Sequence, residues 1–349
     1  AALVRELLAG KSTGTDLPSI LEQVDMLVAK RTQVEYSAEP DSPYQRTQSG
    51  IDQLLLKAID FAGTDAVKLA EIGRKAQDVY SAVAVTAYER LVTSKPTSDS
   101  YVKLARALKD QAAFTESDNA TLKRAETAIR AAFKATRQPT VEMYGVLADI
   151  LEDRELTEEA LAAFTKFLDL AQARSDAASL KSALEGLVRT TAALERPADA
   201  DRWFKILVEK YGASPWEWQQ HAARLYARNQ FREAGDAYLH ASQNDYMWNN
   251  WCRAANAYSF HTGSEDSALE AARSCIKNGA NKKDSDAYVA IGHNIMATVL
   301  NRRGVYTEAL THAREAVAIR PTNAFDYDAL ADAYFGLRRF QETINAAKE

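Results

Sequence analysis

The feature that most constrains this sequence is a set of similar side chains that recurs every 34 residues. Near the carboxyl end, the recurrence pairs His293 with Tyr327, Met296 with Leu330, Leu300 with Tyr334 and Tyr306 with Phe340. Further upstream, it relates Leu184 to Trp218 and Cys252, and Ala200 to Ala234 and Ala268. A fixed period of roughly 20 to 50 residues is typical of arrays in which one small structural unit is repeated.

Within one repeat, the second half has the spacing of an α-helix. Small residues stand at Ala309, Ala313 and Ala316, and Pro321 follows where a helix has to end. The residues that open each second helix predict eight helix pairs, at Ala84, Ala125, Ala160, Ala200, Ala234, Ala268, Ala309 and Thr343. Each pair has an apolar face that only a neighbouring pair can cover, so we expect one continuous core along the array.

These residues resemble the tetratricopeptide repeats, or TPRs. The family pattern places an aromatic, Leu-Gly and Tyr in the first helix, and Ala, an aromatic, Ala and Pro in the second. The resemblance covers residues 65–349, although Ala stands in the Gly position at Ala105, Ala148, Ala222, Ala297 and Ala331. It implies an all-α fold, an α-solenoid wound as a right-handed superhelix of about eight helix pairs, with a truncated last repeat.

Residues 1–64 match the repeat less well, and we predict an irregular helical cap or a junction there. Helical patterning occurs at residues 4–9, 17–35 and 51–61, with Asp16 as an N-cap. Residues 37–50 contain two prolines and Gly50, so we predict a loop. Because the chain begins at Ala1 rather than Met and ends within a predicted helix at Glu349, we expect it to be part of a longer polypeptide.

Motifs for catalysis, cofactors and metals are missing or have a simpler explanation. Gly10-Lys11-Ser12-Thr13 resembles the end of a phosphate-binding loop, but Arg5 occupies the place of its first glycine. The five histidines lack metal-ligand spacing, and acidic pairs such as Glu152-Asp153 are explained by solvated helix ends. We therefore predict that this chain has no enzyme activity, no cofactor and no metal site.

Charge and cysteine content constrain the partners and the compartment. The 43 basic and 48 acidic residues give a net charge of −5, which predicts neither a nucleic-acid partner nor a membrane partner. Cys252 and Cys275 fall in helix-packing positions of one repeat, and we predict buried thiols in a cytoplasmic, intracellular protein. Their proximity leaves a disulfide as the alternative.

The inward positions of the first helices predict a binding groove. Amides and arginine bind peptide backbone or carboxylates, and aromatic rings provide contact area. The candidate groove residues are Trp216, Gln219, Tyr226, Asn250, Arg253, Phe260, Asn294, Asn301, Phe325 and Asp328. We expect Tyr226 and Arg253 to line the surface rather than the core, although packing is the alternative for Trp216, Tyr226 and Phe260. The family's carboxylate clamp for chaperone tails is not predicted, because Ala257 replaces its first Asn.

Two functions are consistent with this pattern. The first is a non-catalytic protein–protein interaction module that binds a peptide or protein segment in its concave groove and serves as a scaffold for complex assembly. The alternative is the regulatory or sensor array of a larger enzyme, such as a protease, transferase or NTPase switch, whose catalytic domain lies outside this chain and acts as an intramolecular partner. RNA binding is disfavoured because inward positions of the earlier repeats are mainly acidic: Glu142, Asp149, Glu152 and Glu185, with Arg189.

Overall fold

The computed structural model describes residue 6 and residues 16–114, 118–280, 282–283 and 285–349. Within these ranges the protein is all-α, with eighteen α-helices, one short 3₁₀ helix and no β-strand. The chain divides into two compact units, one that ends at Trp203 and one that runs from Phe204 to Glu349. No helix in the described ranges is long and apolar enough to cross a membrane.

The first unit consists of helices that pack successively on one another. They are α1 (Leu17–Arg31), α2 (Pro43–Ala62), α3 (Ala66–Asp78), α4 (Val83–Ser94), α5 (Ser98–Phe114), α6 (Asn119–Lys134), α7 (Val141–Asp153), α8 (Thr157–Arg174) and α9 (Ala177–Ala193). Helix α10 (Pro197–Tyr211) contains the boundary between the units.

The second unit continues the same alternation of first and second helices. It contains α11 (Pro215–Ala227), α12 (Phe231–Ala241), the 3₁₀ helix (Asp245–Met247), α13 (Asn250–Ser259), α14 (Glu265–Gly279), α15 (Asp286–Arg302), α16 (Tyr306–Ile319), α17 (Ala324–Gly336) and α18 (Phe340–Ala346). The first helix α15 also packs on the first helices α13 and α17 of the neighbouring pairs. The fold is thus the helix-pair array of an α-solenoid, as the repeat predicts.

Small residues allow the helices of each unit to approach closely. The predicted opening residues Ala160, Ala234, Ala268 and Ala309 are all fully buried. The packing between α8 and α9 is tighter still, because a Cβ at Gly186 would lie 2.2 Å from a ring carbon of the buried Phe164. Atoms in a packed interior do not come that close, so these positions hold small residues because no volume remains for larger ones.

The turns inside the helix pairs share a backbone feature that the repeat pattern does not reveal. Five positions before the small residue, the chain takes a positive φ at Glu155, Glu195, Asn229, Gly263, Gly304 and Arg338. Only two of these residues are glycine, for which this conformation has no steric penalty. The other four accept a cost of about 1–2 kcal/mol each, which the packing of the two helices has to offset.

The amino-terminal segment is more regular than its sequence suggests. Helix α2 starts at Pro43, inside the stretch predicted to be a loop, because Ser42 accepts a hydrogen bond from the Gln45 amide at 3.1 Å and proline fits the first helical turn. The loop prediction for residues 37–50 is therefore wrong over its second half. Asp16 caps α1 as predicted, by accepting from the Ser19 amide at 2.9 Å.

Some predictions for the amino-terminal region are not tested. Apart from residue 6, the predicted helix at residues 4–9 lies outside the described residues, as does Gly10-Lys11-Ser12-Thr13. The division of the chain into a cap and an array at residue 64 also stays a prediction.

The two cysteines form a disulfide rather than remaining as thiols. Cys252 of α13 and Cys275 of α14 are both buried and are joined across one helix pair, with their Cα atoms 4.9 Å apart. The prediction of two free thiols is therefore wrong. The physical reason is the small separation between the two helices, which brings the cysteine backbones within bonding range.

A histidine pair joins α15 to α16. The Nδ1 atoms of His293 and His312 are 2.9 Å apart, so one imidazole donates its proton and the other accepts it. Burial lowers the pKa of both residues, and the charge of His312 lowers the pKa of His293 further. Among nearby charges, Arg273 also lowers the pKa of His312, whereas Glu315 raises both values and Glu308 raises that of His312. Folding therefore favours the neutral form of both imidazoles.

This pair predicts a pH-dependent stability. Because the folded pKa values lie below the ordinary value of 6.5, the unfolded chain binds protons that the folded chain does not, and stability falls as the pH drops below about 6.5. We expect His312→Gln to reduce the fall in melting temperature between pH 7.5 and pH 5.5, measured by circular dichroism. The control His240→Gln makes the same change at an exposed imidazole outside the pair and measures what the substitution alone does to the slope. Equal slopes in all three proteins would contradict this role.

Candidate functional site

A cavity of about 800 Å³ lies in the second unit, where the faces of consecutive first helices meet. Ile291, Asn294, Thr298 and Arg302 of α15 all line it, because residues three, seven and eleven positions apart share one face of a helix. Neighbouring first helices complete the lining, with Tyr226 from α11, Arg253, Asn256 and Ser259 from α13, and Phe325, Asp328 and Asp332 from α17. This volume is in the range of pockets that hold a small ligand or a few side chains of a partner.

The aromatic rings of Tyr226, Phe260 and Phe325 line the cavity, and Phe231 packs on the first two from outside the lining. Tyr226, Phe231 and Phe260 contact one another, with ring centroids 5.2–6.2 Å apart. Phe260 nevertheless remains 57 % exposed, and Phe325 is 74 % exposed. Rings of this size are normally buried on folding, so their exposure next to a cavity leaves apolar area available for a ligand.

The cavity carries charges of both signs that do not neutralise each other. Arg253 and Arg302 line it from α13 and α15, and Asp328 and Asp332 from α17. A third lining arginine, Arg320, is already paired with a buried carboxylate. Within the described residues, no ion pair joins Arg253 or Arg302 to either aspartate. Burial raises the pKa of Asp332, and the neighbouring charge of Asp328 raises it further. Both signs of charge therefore remain available to a bound molecule.

The asparagines of the cavity are partly engaged in holding the helices together. Asn256 donates to the Tyr226 hydroxyl at 3.0 Å, and Asn294 donates to the backbone oxygen of Phe325 at 2.8 Å. These bonds tie α13 to α11 and α15 to α17. The first helices are therefore braced by their own amide side chains as well as by apolar packing.

Comparison with known proteins identifies the architecture. No protein-family model and no curated protein matches the sequence. The C-terminal part of a TPR repeat-containing protein from Cytophaga hutchinsonii has a TM-score of 0.55 at 13 % identity, over 78 % of this chain and 98 % of that chain. This protein has the tetratricopeptide-repeat fold.

Two other solved TPR structures are similar to a lesser degree. A tetratricopeptide repeat protein from Parabacteroides merdae has a TM-score of 0.46 at 13 % identity, over 78 % of this chain and 99 % of that chain. YrrB, described as a TPR protein with an unusual peptide-binding site, has a TM-score of 0.46 at 17 % identity, over 58 % of this chain and 97 % of its own.

Within the second unit of this protein, six of the ten candidate groove residues line the cavity. They are Tyr226, Arg253, Phe260, Asn294, Phe325 and Asp328. Tyr226 differs from expectation, since it is half-buried, packs on two rings and accepts a hydrogen bond. It belongs to the scaffold of the cavity as well as to its surface.

The other four candidate residues do not line this cavity. Asn250 is a correction, because its side chain is fully buried and donates to Gln219 at 3.2 Å instead of facing a groove. Asn301 donates to the Ala329 backbone oxygen at 2.8 Å, so it too joins neighbouring TPR helices. Trp216 stays 45 % exposed, at the start of α11.

Several cavity residues were not among the candidates, notably Asn256, Tyr288, Arg302 and Asn323. Arg302 lies eight residues, or about two helical turns, after Asn294 on the same face of α15. Following that face from Asn294 to the end of the helix would have identified Arg302 from the sequence. The described residues contain no group of three side chains suited to a metal ion.

The acidic inward residues of the first unit are in a different situation. Glu152 forms a two-point ion pair with Arg189, at 2.7 and 2.8 Å, and Glu142 pairs with Arg106 at 2.8 Å. Hydrogen bonding to Glu152 raises the pKa of Arg189. These two pairs are satisfied between neighbouring TPR helices, whereas Asp149 lines a smaller cavity of about 650 Å³ in the first unit. The cavity of the second unit is the better candidate site because exposed aromatic rings line it.

The packing of the cavity rings generates a stability test. We expect Tyr226→Ala to lower the free energy of unfolding by about 1–3 kcal/mol, since it removes ring contacts and a hydrogen bond. The matched change Phe325→Ala should cost less than about 0.5 kcal/mol because that ring is mostly exposed. Urea unfolding followed by circular dichroism measures both. A large loss in both variants would show that Phe325 packs as a core residue, and a small loss in both would show that Tyr226 does not.

Proposed function

We propose that this TPR-fold chain is a non-catalytic interaction module whose cavity in the second unit binds a segment of a partner protein. The observation that carries the proposal is the exposure of Phe260 and Phe325 beside Arg253 and Asp328, which are free of ion pairs in the described part of the chain. A protein segment matches this surface, since it offers apolar side chains to the rings, amides to the asparagines and charges of both signs. Binding at this site makes the chain a scaffold for assembling a complex.

A comparison of variants in a pull-down tests this function. We expect Arg253→Glu combined with Phe325→Ala to lose partners that the wild-type chain retains from a native extract, as read by mass spectrometry. The matched control is Lys277→Glu with Tyr246→Ala, which makes the same kinds of change at exposed positions outside the cavity. Circular dichroism should show intact helicity in both double variants.

The outcome separates the two candidate functions. A partner that is lost only in the cavity variant supports the interaction module. If the cavity variant retains the same partners as the wild-type chain, the interaction module is contradicted. That result favours the alternative, in which the array regulates a catalytic domain of its own polypeptide.

The compartment is the second part of this proposal. The cysteine count predicts a cytoplasmic location, but a buried disulfide between Cys252 and Cys275 is characteristic of oxidising compartments. We infer that the protein matures in such a compartment. The disulfide also lies beneath the site, since Cys252 lines the cavity.

Thiol labelling of the protein from its native source checks this inference. When the protein is denatured in N-ethylmaleimide without a reductant, we expect mass spectrometry to find both cysteines unlabelled. Reduction before labelling should add two adducts. Two adducts without reduction would restore the cytoplasmic prediction.

A further inference from the structure

We propose that the segment bound in this cavity carries a lysine or arginine whose cation lies between Asp328 and Asp332, and an acidic group that faces Arg253 and Arg302. The inference rests on the proposed function, since it specifies the chemistry of the partner at the same site. It commits to a protein segment with opposite charges a few residues apart.

Three carboxylates on α17 differ in their ion pairing: one is paired inside the fold and two are not. Asp326 is fully buried and receives two hydrogen bonds from the Arg320 guanidinium, at 2.6 and 2.9 Å. Asp328 and Asp332 line the cavity one turn apart on the same helix, and no described residue forms an ion pair with either of them. Two like charges one turn apart repel each other, so a cation from a ligand relieves a repulsion that is already present in the folded protein.

An aromatic ring accompanies the two carboxylates. Phe325 precedes Asp328 by three residues and lines the same cavity, with most of its ring in contact with solvent. A lysine or arginine side chain suits this combination, because its aliphatic stem packs on a ring while its charged end binds carboxylates. The raised pKa of Asp332 agrees with a carboxylate that is partly desolvated and lacks a counter-ion.

The opposite charges of the cavity select against other ligands. Burial raises the pKa of Tyr238, and the positive charge of the nearby Arg253 lowers it. Arg253 has no carboxylate partner in the described ranges. An acidic side chain or a terminal carboxylate of the ligand would form an ion pair with this arginine. A uniformly anionic ligand such as a nucleic acid would meet repulsion from Asp328 and Asp332, whereas a segment with both signs meets attraction on both sides.

Selection from a phage-displayed library of random dodecapeptides tests the inference. The baits are the wild-type chain, Asp328→Asn combined with Asp332→Asn, and Phe260→Ala combined with Phe325→Ala, which removes the two exposed rings of the cavity, all in buffer with EDTA. The Asn variant keeps the size and polarity of the two side chains and removes only their charge. We expect wild-type selections to enrich lysine or arginine at a fixed distance from an acidic residue, and the Asn variant to select peptides without that basic residue.

Each result bears on a different statement. Peptides that are enriched on the wild-type bait without a basic residue overturn this inference but leave the proposed function intact, provided that the aromatic variant no longer selects them. Failure to enrich any sequence, or enrichment of the same sequences on the aromatic variant, overturns the proposed function and this inference together.

Affinity measurements then give the size of the effect. For a selected peptide, fluorescence anisotropy should show binding about tenfold weaker to the Asn variant than to the wild-type chain. Replacing the basic residue of the peptide by norleucine should weaken binding to the wild-type chain by a similar factor and change binding to the Asn variant little. Equal losses from the peptide change in both proteins would show that the cation binds elsewhere.

Discussion

The packing of small residues between neighbouring helices is the constraint on which the structure depends. Ala160, Ala234, Ala268 and Ala309 are fully buried at the start of their second helices, and Gly186 leaves no space for even a methyl group beside Phe164. This close approach lets each helix pair cover the apolar face of its neighbour. It also holds residues such as Glu155 and Arg338 in a left-handed conformation that they would not adopt alone.

The candidate site is a consequence of that packing. Once the second helices are fixed against their partners, the inward faces of α13, α15 and α17 line one cavity. Asn294 and Asn301 then join α15 to α17 through backbone oxygens, which makes the wall of the cavity part of the scaffold. A ligand therefore meets a surface that is already organised, and less of its binding energy is lost in ordering the site.

Charge pairing differs between particular inward positions of the two units. In the first unit, Arg189 and Glu152 on neighbouring first helices neutralise each other. In the second, Arg320 lines the cavity and pairs with Asp326, while the other charges that line the cavity form no ion pair with one another among the described residues. Internal pairs chiefly position helices, whereas charges left without a partner confer specificity on whatever binds.

The sequence by itself determined the repeat, the helical class and the cap of the first described helix. These features depend on residues that are close in the chain, such as the spacing of Ala309, Ala313 and Ala316, or the cap at Asp16. The same local reasoning failed at Ser42 and Pro43, where signals shared by loops and helix starts were assigned to a loop. The correct choice there depends on the residues that follow and on their packing.

Only the tertiary structure decided the state of the cysteines and the membership of the site. Whether Cys252 and Cys275 join depends on the distance between two helices, and whether Asn250 is exposed depends on what covers it. Arg302 and Asp328 line the same cavity although they belong to different repeats. A repeat pattern gives each residue a position on its own helix, but burial and ion pairing are relations between helices, so they are settled only when the helices pack.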